Sequence, residues 1–403
     1  MGKWIANLAR YESLLVMVAI SNEPLRSLYV HVPFCAHKCE YCAFYSAPPS
    51  GDIVNRYIAA LVREFELVAH DLKPRTIFFG GGTPSMLNMR QWELILTELD
   101  RFNLLGAAEW TVECNPATVS ADKAKLLRDF GVNRISMGVQ SLDERLLERL
   151  GRIHSRAQVF KSYDILRAAG FDNVNIDLMF AIPTQTMEIW RATLAEAASL
   201  DSEHLSCYEV IYEEDTPLYA QLKAGEFDVD EDLACAMYDE LTAFAGERNY
   251  QQYEVANFAK HKGTAASDIP DRACRHNVNY WRGGSYHGVG PSATGYVRGV
   301  RTKNWANTQI YCEQLEKGVR AIESREELPP RRRAGETAAF GLRMNSGWPY
   351  ADFREATGFD LRTEWPREMD SLIARGWAQE TQNQFKLSER GLRFADSAAE
   401  MFL

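Results

Sequence analysis

The sequence has no long apolar run near its N-terminus. The longest apolar run near the N-terminus, residues 14–20, spans seven of the 403 residues, whereas a helix that crosses a bilayer needs about 20. Glu12 precedes this run and no small-residue cleavage pattern follows it, which is not typical of a secretory signal peptide. We therefore expect a cytoplasmic protein without a transmembrane segment. Peripheral contact with a membrane surface is compatible with this expectation.

Cysteine and net positive charge are also scarce. Eight cysteines are too few for a secreted domain framed by disulfides. The 45 basic and 55 acidic residues give a formal net charge of −10, whereas proteins that grip nucleic-acid phosphates need a positive field. The composition is otherwise that of a globular protein, with 46% apolar and 25% charged residues. These counts argue against disorder and against a nucleic-acid partner.

The first two-thirds of the chain alternates short apolar runs with helical patterns. Apolar residues at three- and four-residue spacing predict helices at 56–68, 91–99, 121–130, 156–169 and 189–200. Strands are predicted at 28–33, 76–79, 110–114, 134–138, 174–179 and 204–208. Repeated strand–helix units indicate an α/β fold with a parallel sheet, in which the loops after the strands carry the chemistry. Six units suit an open sheet or a partial barrel.

The pattern changes after about residue 215. A long helix is predicted at 227–248 and a strand at 250–258, followed by a stretch rich in glycine and aromatic residues at 271–296. The C-terminal region predicts a mostly helical domain with two short strands, in an order that resembles a winged helix. Its 11 basic and 11 acidic residues from Pro329 onward lack the basic face of a DNA-binding module. We divide the chain into an N-terminal extension (1–26), a main domain (27–300) and a C-terminal domain (301–403), with Met17 as an alternative start to Met1.

Three cysteines stand together in the loop after the first predicted strand. Cys35, Cys39 and Cys42 have the spacing C-x3-C-x2-C, and thiolates on one short loop suit iron–sulfur clusters or zinc. A zinc site would need a fourth ligand, which His31 or His37 could supply. A thioredoxin-like pair would leave Cys35 unexplained. An iron–sulfur cluster with three cysteines keeps one iron open, as a substrate-binding centre requires.

Five ordered motifs carry a family resemblance. They are LYVHVPFC at 28–35, FGGGTPS at 79–85, ECNP at 113–116, SMGVQ at 136–140 and NIDLM at 175–179. With the cysteine loop they resemble the radical S-adenosylmethionine (radical SAM) superfamily, in its branch of oxygen-independent coproporphyrinogen III oxidases. The resemblance implies a partial, TIM-like (β/α)6 radical SAM barrel with a smaller C-terminal domain of the HemN type.

The resemblance also implies cofactors. Cys35, Cys39 and Cys42 would hold a 4Fe–4S cluster, whose open iron would bind S-adenosylmethionine through its amino and carboxylate groups. Cluster reduction would then cleave this cofactor to a 5′-deoxyadenosyl radical. The other cofactor-binding positions implied are Tyr29, Gly81, Gly82, Thr83, Glu113, Gln140, Arg152 and Asp177.

Two features distinguish subgroups of this branch. Decarboxylating relatives carry a fourth cysteine two residues after the third, and Phe44 stands at that position here. The segment HNVNYW at 276–281 resembles the mark of the heme chaperone subgroup. We expect His276 to be the axial ligand of a heme, with Cys274 and His287 as rivals, because a heme site needs a nitrogen or sulfur ligand and flat aromatic surfaces. Arg275 could meet a propionate.

Two functions remain open at this point. In the first, the protein carries heme to heme-accepting apoproteins, such as respiratory enzymes or cytochromes. In the second, it is a radical SAM enzyme acting on a porphyrin, such as an oxygen-independent coproporphyrinogen III dehydrogenase. Phe44 and the HNVNYW segment favour the first. Both functions would need an electron donor for the cluster, and a homodimer is a further expectation.

Overall fold

The computed structural model describes residues 23–261 and 268–403, and its largest element is a nine-stranded, mostly parallel sheet. The strands, in chain order, are β1 Leu25–Val32, β2 Leu72–Gly81, β3 Glu109–Cys114, β4 Arg134–Gln140, β5 Val174–Phe180, β6 His204–Glu209, β7 Tyr250–Glu254, β8 Asn257–Lys260 and β9 His287–Val289. Their spatial order is β7-β8-β6-β5-β4-β3-β2-β1-β9. Strands β1 to β6 and β9 pair in parallel, whereas β7 and β8 run antiparallel at one edge.

Helices follow each of the first six strands, so the predicted partial (β/α)6 architecture is confirmed. They are α1 Ile53–Val68, α2 Met89–Arg101, α3 Ala121–Asp129, α4 Glu144–Arg149, α5 Arg156–Ala168, α6 Met187–Ser199, α7 Pro217–Lys223 and α8 Glu231–Glu247. The stripe of Ile58, Leu61, Phe65 and Val68 on α1 is buried against the sheet, as its spacing predicts. The carboxyl ends of the parallel strands therefore share one edge of the sheet, where the motif loops follow them.

The strand predicted at 250–258 is wrong in one respect, because it is a hairpin of two strands. Glu254 accepts a hydrogen bond from the backbone N–H of Ala256 at 2.9 Å and another from the Asn257 side chain. These bonds hold a tight turn between β7 and β8. The turn contains neither glycine nor proline, so the sequence pattern did not reveal it.

A connecting region links the barrel to the C-terminal domain. It consists of α9 Arg275–Trp281, the small antiparallel sheet β10 Thr294–Val297, β11 Val300–Asn304 and β12 Ile322–Glu327, and α10 Thr308–Glu316. Tyr311, Cys312 and Leu315 of α10 pack into the core of the barrel. Ala321 is the last residue of this region in the core of the barrel, and the boundary at 300/301 stays a prediction.

The C-terminal domain has its own core and a winged-helix-like order of elements. Its elements are α11 Pro330–Gly341, β13 Trp348–Pro349, α12 Tyr350–Thr357, α13 Leu361–Glu364, α14 Pro366–Ala374, β14 Ala378–Glu380, β15 Gln384–Leu387, α15 Glu389–Leu392 and α16 Ala395–Glu400. Trp348, Phe353 and Phe385 are at its centre. The mostly helical domain with a small sheet agrees with the prediction.

Two predictions concern the N-terminus and membrane-spanning helices, and the structure describes only part of the residues on which they depend. Within the described part of the chain, no helix combines the length and apolar character needed to cross a bilayer. Residues 1–22 of the predicted extension, including the alternative start at Met17, lie outside the described residues. Strand β1 begins at Leu25, inside the range predicted as extension.

Candidate functional site

The cysteine loop follows β1 and is tethered on several sides. The backbone N–H of Cys35 donates to the Ala47 carbonyl at 3.2 Å, and the N–H of Glu40 donates to the Leu150 carbonyl at 3.1 Å. The carbonyl of Glu40 in turn accepts from the N–H of Leu218 at 2.9 Å, at the start of α7. These bonds fix the loop over the carboxyl ends of the strands, with all three cysteines half-buried.

A cavity of about 500 Å³ lies under this loop. It contains ten of the twelve site residues that the sequence predicts, drawn from six separate segments of the chain. They are Cys35, Cys39, Cys42, Gly81, Gly82, Thr83, Glu113, Gln140, Arg152 and Asp177. Tyr29 and His276 are not among its lining residues. The volume is within the range of about 300–1,000 Å³ that small-molecule sites occupy.

The thiols suit a cluster better than a single ion. Among residues 23–261 and 268–403, no three His, Cys, Asp or Glu side chains come together as the ligands of one ion would. The Nε2 atom of His31 donates to the Tyr45 carbonyl at 2.9 Å, and Nδ1 accepts from the Tyr29 hydroxyl at 3.0 Å. His31 therefore has no free nitrogen for zinc. A 4Fe–4S cluster puts each thiolate on a different iron, so its ligands need not converge on one point.

Arg152 contacts the cysteine loop directly. Its Nη1 atom donates to the Sγ atom of Cys39 at 3.4 Å, and its Nη2 atom donates to the Gly138 carbonyl at 2.6 Å. Gly151, with a φ of +68°, provides the turn after α4 that leads into Arg152. A guanidinium beside a cysteine sulfur stabilises the thiolate form that binds iron. This contact gives Arg152 a defined place inside the cavity.

Gln140 has an unusual backbone conformation at the end of β4. Its φ is +67°, in the left-handed region that residues other than glycine rarely adopt. The pairing of β4 with β5 shifts between Gly138 and Gln140, as at a β-bulge. Bulges redirect side chains beside functional sites, and here Gln140 lines the cavity.

Two carboxyl groups face the cavity, and burial shifts both. Burial and the nearby charge of Asp177 raise the pKa of Glu113 to about 8, while a hydrogen bond from the Gly81 N–H to Oε2 at 3.2 Å opposes the rise. Burial also raises the pKa of Asp177, which accepts hydrogen bonds from Asn175 at 2.7 Å and Ser136 at 3.2 Å. Both carboxyls would gain from a cationic group bound between them.

The glycines at the end of β2 have a structural reason for being glycine. A Cβ atom at Gly81, where φ is +104°, would lie 2.5 Å from the His31 ring, and one at Gly82 would lie 2.7 Å from the Phe34 carbonyl oxygen. The N–H groups of Gly82 and Thr83 donate to Val32 and Phe34, both at 2.8 Å. These glycines allow β2 to pack against the cysteine loop. A valine at Gly81 would disturb this packing whether or not a ligand binds there.

Several residues line or border the cavity besides those predicted from the sequence to do so. Cys114 lines it, and burial raises the pKa of its thiol to about 12. Phe44 is 69% exposed, and Ile153 and Ile211 are also exposed beside the cavity. Cys114 and Phe44 lie in segments that the motifs already marked. Ile211 follows β6 in a stretch without a motif, so only the fold could identify it.

Tyr29 and His276 do not line this cavity, but they lie close to each other. The ring of His276 stacks on Phe78 with centroids 5.2 Å apart, and Tyr29 lies 6.5 Å from it. The hydroxyl of Thr76 donates to Ser27 and so accepts from the Nδ1–H of His276 at 2.9 Å. The Nε2 atom of His276 then accepts from another hydroxyl, that of Tyr280, at 2.8 Å.

His276 is therefore fully hydrogen-bonded and neutral in this structure. It is buried, and burial, with the charge of Arg134, lowers its pKa to about 3. An iron ion could use Nε2 only after the Tyr280 hydroxyl had left it. The rivals are also enclosed, since Cys274 is 1% and His287 is 6% exposed.

A second cavity, of about 250 Å³, adjoins this segment. It lies between the connecting region and α11 of the C-terminal domain, and half of its lining residues are aromatic. The lining residues are Tyr280, Trp281, Gly283, Gly284, Tyr286, Tyr296, Arg301, Glu336, Thr337 and Phe340. Arg275, which the sequence suggested for a propionate, does not line it, whereas Arg301 does.

Comparisons with known proteins agree with these features. The radical SAM superfamily matches residues 29–197. The heme chaperone HemW of Lactococcus lactis is 32% identical over 379 residues, covering 94% of this chain and 97% of the relative. HemW of Escherichia coli is 32% identical over 390 residues, covering 94% and 98%.

Two further matches extend the comparison. A radical S-adenosyl methionine domain-containing protein 1, mitochondrial, of Danio rerio is 33% identical over 80% of this chain and 73% of its own length. The solved structure of coproporphyrinogen III oxidase (HemN) from Escherichia coli superposes with a TM-score of 0.81, over 97% of this chain and 93% of that one, at 22% identity. This last match concerns the fold, whereas the sequence identity to HemW over nearly the whole chain shows that the chain belongs to the HemW family of the radical SAM superfamily.

Proposed function

We propose that the protein is a heme chaperone, which binds heme together with a 4Fe–4S cluster and S-adenosylmethionine and delivers the heme to target hemoproteins. Respiratory enzymes and cytochromes are the expected acceptors. The observation that carries the proposal is the pairing of two cavities in one chain. One contains the three cysteines, and the other is an aromatic cavity beside the HNVNYW segment.

The cysteine cavity would hold the cluster and S-adenosylmethionine. Cys35, Cys39 and Cys42 would each bind one iron, and the fourth iron would be open to the cofactor. When bound, this pair supplies one-electron cleavage of S-adenosylmethionine. Glu113 and Asp177 line the same space, and a cationic ligand group such as the sulfonium would stabilise their charged forms, which burial disfavours. Gln140 and Arg152 complete the proposed binding surface.

Heme would bind in the aromatic cavity, where flat rings can pack on a macrocycle. Tyr280, Trp281 and Tyr286 provide these rings. We keep His276 as the proposed axial ligand, with the added requirement that the Tyr280 hydroxyl moves off Nε2 when iron binds. Tyr29 remains a proposed contact of S-adenosylmethionine, although its hydroxyl is hydrogen-bonded to His31.

The alternative is a radical SAM enzyme that decarboxylates coproporphyrinogen III. Phe44 argues against it, because this exposed side chain stands where decarboxylating relatives carry a cysteine. The proposal further includes an external electron donor for the cluster, action in the cytoplasm, and a homodimer, which sedimentation velocity would detect.

The test uses anaerobically reconstituted protein in two assays. We expect titration with ferric heme to saturate at one heme for each chain. We expect incubation with coproporphyrinogen III, S-adenosylmethionine and a reductant to yield no decarboxylated porphyrin, with authentic coproporphyrinogen oxidase as the positive control. Decarboxylated product would restore the enzyme alternative. A failure to bind heme would refute the chaperone proposal.

A further inference from the structure

One basic side chain lines the aromatic cavity in the described chain, and it is already paired with a carboxylate of the same chain. Among the residues that line this cavity in the described chain, Arg301 is the single basic side chain and Glu336 the single acidic one. The Nη1 and Nη2 atoms of Arg301 donate to the two carboxylate oxygens of Glu336 at 3.1 and 2.6 Å. This is the two-point geometry in which arginine binds a carboxylate most specifically.

The two residues come from opposite walls of the cavity. Arg301 lies on β11, which belongs to the region joined to the barrel, and Glu336 lies on α11, which begins the C-terminal domain. Trp281 and Phe340 face each other across the same division, with ring centroids 6.5 Å apart. The ion pair therefore joins the two walls of the cavity on this side.

Arg301 forms a second ion pair, whose carboxylate is more exposed than Glu336 and lies outside the cavity. Glu326 on β12 accepts from Nη1 at 2.5 Å, directly across the strand pair from Arg301. Its side chain is 52% exposed, against 21% for Glu336, and it does not line the cavity. Exposed pairs of this type contribute little, so Glu326 provides a matched control for Glu336.

The cavity is too small for a macrocycle in its present form. The volume of about 250 Å³ is below the range of about 300–1,000 Å³ typical of small-molecule sites. A macrocycle would therefore need the walls of the cavity to separate, and the ion pair between Arg301 and Glu336 is one contact that would have to break.

We propose that Arg301 is the carboxylate anchor of the aromatic cavity, and that Glu336 is an internal competitor which a carboxylate of the bound ligand displaces. The inference rests on the proposed function, because heme is the planar ligand with carboxylates that it names. Exchange of one carboxylate for another leaves the charge of Arg301 paired throughout. It also lets the C-terminal domain move away from β11 as the ligand enters.

The experiment compares hemin with its dimethyl ester, which has no free carboxylate. Arg301→Gln should weaken hemin binding about tenfold, as the loss of a hydrogen bond to a charged group implies, and leave ester binding unchanged. Glu336→Gln should tighten hemin binding a few-fold, because the competitor has lost its charge. Glu326→Gln should change the affinity for hemin less than Glu336→Gln does. Arg301→Lys, which keeps the charge without the two-point geometry, should recover part of the affinity.

Several outcomes would overturn the inference. Equal effects of Arg301→Gln on hemin and ester would mean that the residue supports the fold rather than a carboxylate. Weaker hemin binding by Glu336→Gln would remove the competitor role. If the wild type binds hemin and none of the variants differs from it, this inference fails and the proposed function stands. If the wild type does not bind hemin, both fail.

Discussion

The Nη1 atom of Arg152 lies 3.4 Å from the Sγ atom of Cys39 and donates a hydrogen bond to it. Hydrogen bonds and positive charge at a cluster's sulfurs raise its reduction potential, because they stabilise the more negative, reduced state. The same guanidinium is held by the Gly138 carbonyl at 2.6 Å. Arg152 is thus placed to tune the proposed cluster rather than to ligate it.

Arg152→Gln should therefore lower the reduction potential of the reconstituted cluster by an amount on the order of 50 mV, equivalent to roughly 1 kcal/mol for one electron. The reduction potential of Arg152→Lys should lie between those of the wild type and Arg152→Gln. Potentiometric titration followed by absorbance or electron paramagnetic resonance measures this shift. An unchanged potential in Arg152→Gln, with full iron content, would contradict the assigned contact.

The proposed function assigns the cluster to the three cysteines of the loop and to no other cysteine. Cys35→Ala, Cys39→Ala and Cys42→Ala should each abolish the 4Fe–4S absorbance after reconstitution. Cys114→Ala is the sharpest control, because Cys114 lines the same cavity but holds its proton, with a pKa of about 12. It should keep the cluster.

Three further substitutions extend this control. Cys207→Ala, Cys235→Ala and Cys312→Ala should also keep the cluster, since Cys207 and Cys312 are buried in the core and Cys235 is exposed on α8. Iron and sulfide analysis measures the outcome. Loss of iron from any of the four controls would refute a cluster held by three thiolates alone.

S-adenosylmethionine binding should depend on pH through Glu113. The free protein holds this carboxyl protonated below its pKa of about 8, whereas a cationic ligand favours the carboxylate. Binding therefore releases a proton, and affinity should rise about tenfold for each pH unit up to about 8 and then level off. Isothermal titration calorimetry across this range, in buffers of different ionisation enthalpy, counts the proton.

Glu113→Gln should bind S-adenosylmethionine more weakly, and the pH dependence of its affinity should lack the part that Glu113 contributes. Comparison with the wild type subtracts the titration of the cofactor's own amino group. Parallel pH curves in the two proteins would show that Glu113 does not meet the cationic part of the cofactor.

Heme ligation by His276 predicts opposite effects of two neighbouring substitutions. His276→Ala should weaken heme binding and shift its main absorption band. Tyr280→Phe should tighten binding about fivefold, since it keeps the ring but removes the hydroxyl that occupies Nε2 at 2.8 Å. The cluster should be intact in both proteins. Identical affinity and spectra in the wild type and His276→Ala would move the ligand to Cys274, His287 or another residue.

The sequence predicted the barrel well because its signals are local. Each strand has its own apolar run, and each helix has its own stripe and end signals, such as Ser120, whose side chain accepts from the Lys123 N–H at 3.4 Å. The hairpin at β7 and β8 was missed because its turn depends on the Glu254 side chain rather than on glycine or proline.

The site was predictable where motifs mark it and unpredictable where distant segments meet. Ten of the predicted residues line the cysteine cavity, since motif loops follow adjacent parallel strands. The pairing of Arg301 with Glu336 depends on how the C-terminal domain packs against β11, which no local pattern encodes. The hydrogen bonds that occupy both nitrogens of His276 likewise come from β2 and α9 together.

Heme transfer tests the central claim most directly. Heme-loaded, cluster-containing protein should be mixed anaerobically with an apo-cytochrome, with and without S-adenosylmethionine and reductant, and the heme spectrum of the re-purified acceptor recorded. A chaperone predicts that heme moves to the acceptor faster than from heme-loaded serum albumin as a passive donor. Transfer no faster than from albumin, or heme that stays with the protein, would contradict the account.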